Sequence, residues 1–198
     1  MTRGKLAIEF ANTAAGPGRS QSGDGWDALV RFMVGAGALG PAEAGRLRGL
    51  GETEPSRCAG AVIRALELRA VIRQILEAIS QKRPLAAEWI DVVNRALRSH
   101  GGAEQLVVSG SGCDLVFIAE RRDPLVALAP IARSAAALMA EGPEAPVRQC
   151  AHPRCVLYFY DDSRSRRRRW CSMAVCGNRM KVAAHAQRRR TRLRGLTR

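Results

Sequence analysis

Four cysteines crowd into the last quarter of the chain: Cys150 and Cys155, then Cys171 and Cys176. The pattern is C-x4-C, fifteen residues, C-x4-C. Two such pairs can bring four thiolates to one tetrahedral point, the coordination that zinc requires. Protein sulfur would fill all four positions and leave none for water, so the reading is one structural zinc per chain, not a catalytic one. Two disulfides are the competing use of these residues, but a chain with no sign of export seldom keeps structural disulfides. An iron–sulfur cluster also takes four thiolates, although the pair-and-pair spacing suits a zinc knuckle better. His152 and His185 could substitute as ligands, which a complete cysteine set makes unnecessary. Cys58 and Cys113 stand apart beside apolar residues and are expected as buried small hydrophobes. His100, next to Gly101 and Gly102, reads as a helix C-terminal cap. No Ser/His/Asp, H-E-x-x-H or phosphate-loop pattern occurs, so no catalytic residue is assigned and the chain is not read as an enzyme.

The elements that must carry these cysteines follow from the local pattern. Val156 to Tyr160 is strand-like, Asp161-Asp162-Ser163 starts a turn, and the chain returns through Arg166-Arg167-Arg168-Arg169-Trp170 to the second pair. A helix is expected from about Gly177 to Arg192. Knuckle, hairpin and helix in that order make a small treble-clef-like module over residues 144–198, too small to bury a sufficient core without metal. Tyr158, Phe159, Tyr160 and Trp170 are expected to pack around the metal and against the rest of the chain, with base stacking as the other use.

Residues 1–143 read as a helix-rich domain with a few strands, so the fold class is α+β. Leu6 to Phe10 is expected as a short strand ending at Asn12-Thr13, and Gly16 to Gly25 as a loop. Helices are expected over Trp26–Val34, Pro41–Leu50 and about Arg57–Ser80. The last should bury a stripe of Val62, Ile63, Leu66, Ile72, Ile75, Leu76 and Ile79. Another helix should open at Pro84 and run through Trp89, Val93 and Leu97. Leu106–Val108 and Leu115–Ile118 flank Gly110-Ser111-Gly112 as a hairpin. Pro124 should start a final helix through Leu138, and Pro143 with Pro146 mark the boundary. Gly35-Ala36-Gly37-Ala38-Leu39-Gly40 matches a dinucleotide fingerprint, but it follows a helical stretch and meets Pro41, so it is read as a loop between helices.

Charge divides the chain at the same boundary. Residues 144–198 carry 15 Arg/Lys against 3 Asp/Glu, while the remainder carries 17 against 15. A GC-rich genome accounts for 29 Arg against 3 Lys, but not for their concentration in one quarter of the chain. A concentrated positive field favours polyanions, nucleic acid first and anionic membrane second. No run approaches the roughly 18 to 20 apolar residues of a membrane span. The apolar stretch near the N-terminus is too short for a signal peptide, so a cytoplasmic protein is expected.

Tyr160-Asp161-Asp162-Ser163, Arg168-Arg169-Trp170-Cys171-Ser172-Met173 and Cys176-Gly177-Asn178-Arg179-Met180-Lys181 resemble the CGNR zinc-finger family of bacterial proteins. The preceding domain is similar to the ABATE domain that usually accompanies that finger, through Leu6 to Thr13 and Ala65-Leu66-Glu67-Leu68-Arg69. Glu9 stands where Asp is typical and Asp162 where Thr is; neither touches an expected ligand. The resemblance implies zinc on Cys150, Cys155, Cys171 and Cys176, and a stress-responsive transcription regulator, a role inferred for the family. It also leaves Asn178 and Arg179 with two readings. They contact phosphate or a base edge, or Asn178 caps the helix while Arg179 bonds Asp161 or the thiolate shell.

The leading functional reading is a DNA-binding regulator. Arg166, Arg167, Arg168 and Arg169 with Lys181, Arg188, Arg189 and Arg192 would grip the phosphates of duplex DNA. The first domain would sense a small-molecule effector or form a homodimer, with Asn12, Thr13 and Trp26 as candidate pocket residues. Trp26 as core, and Asn12-Thr13 as a turn or cap, is their structural alternative. A protein-interaction adaptor with an acidic partner, and an RNA-binding protein whose aromatics stack on bases, are the other readings.

Overall fold

The structure is a computed structural model that describes residues 5–14, 25–98, 102–109, 112–119 and 123–195. The Gly16–Gly25 loop apart from Gly25, His100 with Gly101, and the Gly110-Ser111 turn lie outside the described residues.

Seven α-helices and two small antiparallel hairpins are seen among the described residues. In chain order they are α1 (Lys5–Asn12), α2 (Trp26–Gly35), α3 (Pro41–Thr53), α4 (Pro55–Ser80), α5 (Ala87–Arg98), β1 (Gly102–Ser109), β2 (Gly112–Ala119), α6 (Ala129–Glu141), β3 (Val147–Gln149), β4 (Tyr158–Tyr160) and α7 (Asn178–Gly195). The mostly helical α+β class expected from the sequence is what forms. The β1–β2 hairpin pairs in the expected place, with Leu106 opposite Leu115.

Long α4 is the axis of the helical body. Pro55 at its first turn lacks only an N–H that a helix start leaves unpaired anyway. Its end is sealed by Lys82 in the left-handed region (φ 56°), followed by an Arg83 N–H bond to the Ala78 carbonyl at 2.8 Å. The buried face is Cys58, Ala61, Ala65, Leu68, Ile72, Ile75, Leu76, Ala78 and Ile79. This corrects the expected stripe in its first half, where Val62 and Leu66 are half-buried and Ile63 is 66% exposed. Close neighbours explain the choice. Near its N-terminal end α4 must accommodate α2, α3 and the 3-10 turn Pro124–Leu128, so small Ala and Cys side chains face them.

The expected strand at Leu6–Phe10 is instead helix α1, with Leu6, Ala7, Ile8, Phe10 and Ala11 all buried. It lies against α4, α6 and β4, and a helix covered on most sides has no polar face to show the helical period. A short continuous apolar run cannot be assigned to strand or helix by periodicity. The α5 helix begins at Ala87, three residues after Pro84. Pro124 opens a 3-10 turn that leads into α6. This stretch, Pro124–Glu144, has 21 residues and mean hydropathy 1.3, long and apolar enough by composition to cross a membrane, which the sequence reading had not anticipated. Its Val126, Leu128, Ile131, Ala135 and Leu138 lie in the common core.

The glycine-rich 35–40 segment is a loop between α2 and α3, as expected. Gly37 takes φ 67°, and Ala36, Gly37 and Ala38 N–H groups close on the last carbonyls of α2. Cys58 is buried as expected, but Cys113, on the hairpin, is exposed. Phe117 on the same strand reaches the core, and Cys113 lies four residues further along the ribbon, beyond it.

Ile72→Ala should destabilise the protein by about 2–5 kcal/mol, the cost of a cavity at a fully buried site. Ile63→Ala should stay within about 0.5 kcal/mol. Urea unfolding of the two variants checks the register of α4; equal losses would return Ile63 to the core.

Candidate metal centre

The first cysteine pair sits on the loop joining β3 to β4. Val147 pairs with Tyr160 and Gln149 with Tyr158, so the two strands hold the loop shut from below. Within it, Cys150 N–H bonds the Leu157 carbonyl at 2.9 Å and Cys155 N–H the His152 carbonyl at 2.9 Å. The strand-like stretch therefore pairs backward with β3. The expected return strand at Arg166–Trp170 does not form, and that segment joins the knuckle through one backbone bond, Ala151 N–H to the Arg169 carbonyl at 2.9 Å.

The second pair uses a different device. On a regular α-helix, residues five apart point about 140° apart around the axis. Met173–Gly177 is a π turn instead, in which Gly177 N–H and Cys176 N–H both reach the Ser172 carbonyl at 3.0 Å. Cys171 precedes that turn on backbone extended at Ser172 (φ −147°, ψ 130°), and the chain folds back so that Cys176 Sγ lies 3.7 Å from Cys171 Sγ. Ser172 caps the turn, its hydroxyl oxygen accepting from Val175 N–H at 3.3 Å. Gly177 lies close under its neighbours: a Cβ there would lie 2.3 Å from Met173 Sδ, which is half exposed and could move, and 3.2 Å from Trp170 Cδ1. Asn178 does not cap α7; its side-chain amide donates to the Ala174 carbonyl at 3.2 Å.

All four sulfurs lie within 4.8 Å of one another. Cys155 to Cys171 and Cys171 to Cys176 are each 3.7 Å. Sulfurs about 2.3 Å from a tetrahedral zinc would be about 3.8 Å apart, so the spacing fits one ion at their centre. A disulfide needs about 2 Å between sulfurs, and all the cysteines are free. Four sulfurs so close enclose one ion and leave no room for a cluster. The donor set is closed, and the zinc it holds is structural.

Protonation follows from the same crowding. Burial pushes the Cys171 thiol well up, and the neighbouring Cys176, Cys150 and Cys155 add to it. Burial also raises Cys176. Cys150 is the exception. Burial opposes its ionisation, yet the Cys171 and His152 backbone N–H groups and the sulfur neighbours outweigh that and hold it below the usual thiol value. The Cys171 N–H lies 3.4 Å from Cys150 Sγ. Metal binding must displace the protons that remain.

Beside the sulfurs, Asp161 is fully buried. Its carboxylate accepts from Ser163 N–H and hydroxyl and from Arg168 N–H, and pairs with Arg148 Nε at 3.2 Å. Burial alone would raise its pKa, but these donors reverse the direction and keep it below the usual carboxylate value. Its contribution is therefore full above the ordinary carboxylate range and is lost only as pH falls through the lowered value. Arg179, expected as one partner of Asp161, is not bonded to it; Arg148 and the Arg168 backbone hold those places.

The arginine run divides by task. Arg168 is turned inward, donating to the Trp170 carbonyl at 3.0 Å and the Cys171 carbonyl at 2.6 Å, with its guanidinium 4.7 Å from the Phe159 ring centroid. Arg166 takes φ 49° and donates to the Asp161 carbonyl at 2.7 Å. Arg169 lies 4.9 Å over the Trp170 ring, and Arg167 is exposed. Lys181 and Arg188 are exposed on α7, as are Asn178, Arg179 and His185; the side chains of Arg189 and Arg192 lie outside the described residues. His152 is no ligand: its Nδ1 accepts from Arg154 N–H at 3.2 Å.

The candidate pocket residues separate. Trp26 donates to the Leu47 carbonyl at 2.7 Å and packs so tightly on Gly51 that a Cβ there would lie 2.7 Å away, the core role. Asn12 is a clamp, donating to the Tyr158 carbonyl at 2.8 Å and accepting from Tyr158 N–H at 3.0 Å. Thr13 bonds the Phe10 carbonyl and receives Arg69. Asn12 and Thr13 do border a cleft of about 770 Å³ between α1–α2 and the knuckle. Two of its polar side chains, Arg154 and His152, have no counterpart among the residues the sequence singled out for a pocket. Nothing in the sequence signals them, because they meet the cleft only through the fold.

The CGNR zinc finger family matches residues 147–189. The ABATE family, described as "Putative stress-induced transcription regulator", matches residues 4–142. The chain belongs to the ABATE family and carries a CGNR zinc finger at its C-terminal end. A comparison with curated proteins finds no match.

Zinc affinity, measured by chelator competition on the whole chain, should rise roughly tenfold per pH unit for each proton displaced between pH 6.5 and 8. A pH-independent affinity would contradict the protonated thiols. Asp161→Ala should cost the finger about 1–3 kcal/mol, since it strands half-buried donors at Ser163 and Arg168. Chelator-induced unfolding at lower chelator concentration than the parent reads this out; an unchanged midpoint would make Asp161 dispensable.

Proposed function

We propose that the protein is a DNA-binding transcription regulator of the bacterial cytoplasm, with residues 144–198 as the nucleic-acid module and residues 1–143 as the sensing body. One observation carries the reading. Helix α7 spans 18 residues with seven Arg or Lys and no Asp or Glu, and its described side chains up to Arg188 are exposed except half-buried Met180. A helix with so little packing is marginal in water, and seven like charges make it more so. Phosphates would supply both the counter-charge and the packing it lacks. Its length of about 27 Å and diameter of about 10–12 Å suit a major groove about 12 Å wide.

The family description supports a regulator over an enzyme. Base stacking on RNA has less support, because Tyr158 and Phe159 are buried and Trp170 lies beneath Arg169.

Within the arginine run, Arg167 and Arg169 are the phosphate contacts, and Arg168 serves the finger. On α7 the contacts are Asn178, Arg179, Lys181, Arg188, Arg189 and Arg192. Arg167→Ala/Arg169→Ala should flatten the log–log salt dependence of duplex binding by up to about 2, near 0.9 for each phosphate released. Arg168→Ala should instead weaken zinc retention. Gel shifts across a salt series with duplex DNA and RNA test this. An unchanged slope in the double variant removes both arginines from the interface. No duplex binding at physiological salt, with tight capture of an acidic protein, would favour an adaptor.

A further inference from the structure

The cleft between the helical body and the zinc knuckle is also lined by Cys155, Cys171 and Cys176, so its 770 Å³ takes in the metal position, and its chemistry is uneven. Phe32 and Ala36 from the end of α2 form one wall, and Val156 and Val175 from the finger form the other. Val156 and Val175 are about half exposed. Arg154 and Arg179 stand at the same cleft, and neither guanidinium has an ion pair or hydrogen-bond partner among the described residues. His152 accepts at Nδ1, which leaves its Nε2–H as a further donor. The one carboxylate on the wall among the described residues, Glu9, is 4.0 Å from Lys5.

We infer that this cleft binds a small organic monoanion with an apolar body, an aromatic or medium-chain carboxylate. The carboxylate lies between Arg154 and Arg179, where a forked guanidinium matches its two oxygens. The apolar body lies between Phe32 and the two valines, which exclude inorganic phosphate as a good occupant. Arg179 lies in the first turn of α7 and Val175 belongs to the π turn that aims it. An occupant thus touches α2 on one side and the root of the basic helix on the other. This consequence rests on the DNA-binding reading: the bound carboxylate would occupy Arg179 and lower affinity for DNA. The binding itself does not depend on it.

The test uses the zinc-loaded full chain without DNA. Binding of 1-anilinonaphthalene-8-sulfonate is followed by fluorescence, with 2-naphthoate and its neutral amide as competitors. One site per chain is expected, with naphthoate competing at least tenfold better than the amide. Arg154→Gln/Arg179→Gln should raise the naphthoate Kd tenfold or more, and Ala36→Trp should abolish binding by filling the wall. Where Ala36→Trp loses zinc or helix content, Val156→Asp at an exposed wall position replaces it, with the same loss expected. Equal competition by acid and amide, or an unchanged Kd in the double variant, overturns the proposal. So does displacement of the fluorophore by duplex DNA but not by naphthoate, which would make the cleft part of the nucleic-acid face. Because no DNA is present in the first three measurements, their failure leaves the gel-shift result standing.

Discussion

Four sulfur atoms must meet at one point, and the C-terminal quarter of this protein is arranged around that requirement. Few of its described residues are buried: Ala145, Val147, Cys150, Tyr158, Phe159, Asp161, Cys176 and Gly177. Hydrophobic burial on that scale cannot offset the entropy of ordering so many residues. A metal bound by four thiolates supplies the difference, and it also sets geometry. The knuckle fixes β3 against β4, and the π turn fixes the direction in which α7 leaves the finger.

The second constraint is charge. A module with 15 basic side chains and 3 acidic ones repels itself, so it can fold only if some of its cations are spent internally. Asp161 and the carbonyls around the knuckle take that part. Arg148 reaches the Asp161 carboxylate, Arg166 its carbonyl, and Arg168 the carbonyls of Trp170 and Cys171. What remains is sorted by position. Arg167 and the described α7 cations Arg179, Lys181 and Arg188 face solvent, and Arg169 lies flat on an indole ring, a stacking that leaves guanidinium edges open.

How much of this could be read in the sequence depended on whether the signal was local. The cysteine spacing, the β1–β2 hairpin and the span of α4 were legible, because each is written in a short run of residues. The identity of α1 was not, since Leu6 to Ala11 is buried nearly all round and carries no period. On α4 the bulky Ile63 drew the stripe toward solvent, while Ala61 and Ala65, which carry little hydrophobic signal, face the core. Four consecutive arginines look identical in sequence; only the turn at Asp161 separates Arg168 from Arg167. The cleft was beyond reach for the same reason, as its walls come from residues more than a hundred positions apart.

The two halves of the chain are also less separate than their charge suggests. Val147 and Tyr158, the strands that brace the zinc knuckle, lie in the same hydrophobic cluster as α1, α4 and α6. Asn12, at the end of α1, satisfies both backbone groups of Tyr158, which no other described element provides. Arg73 on α4 lies 5.7 Å over the Tyr158 ring. A shift of α1 would therefore pull directly on β4, and β4 is five residues or fewer from Cys155. Movement in the other direction is equally constrained, because loosening the sulfurs frees the strand that Asn12 holds. Coupling of this kind needs a contiguous set of packed groups, and here the set is short: α1, Asn12, β4, the knuckle and the base of α7. Asn12 to Tyr158 is the described contact that ties the end of α1 to the strand beside the knuckle.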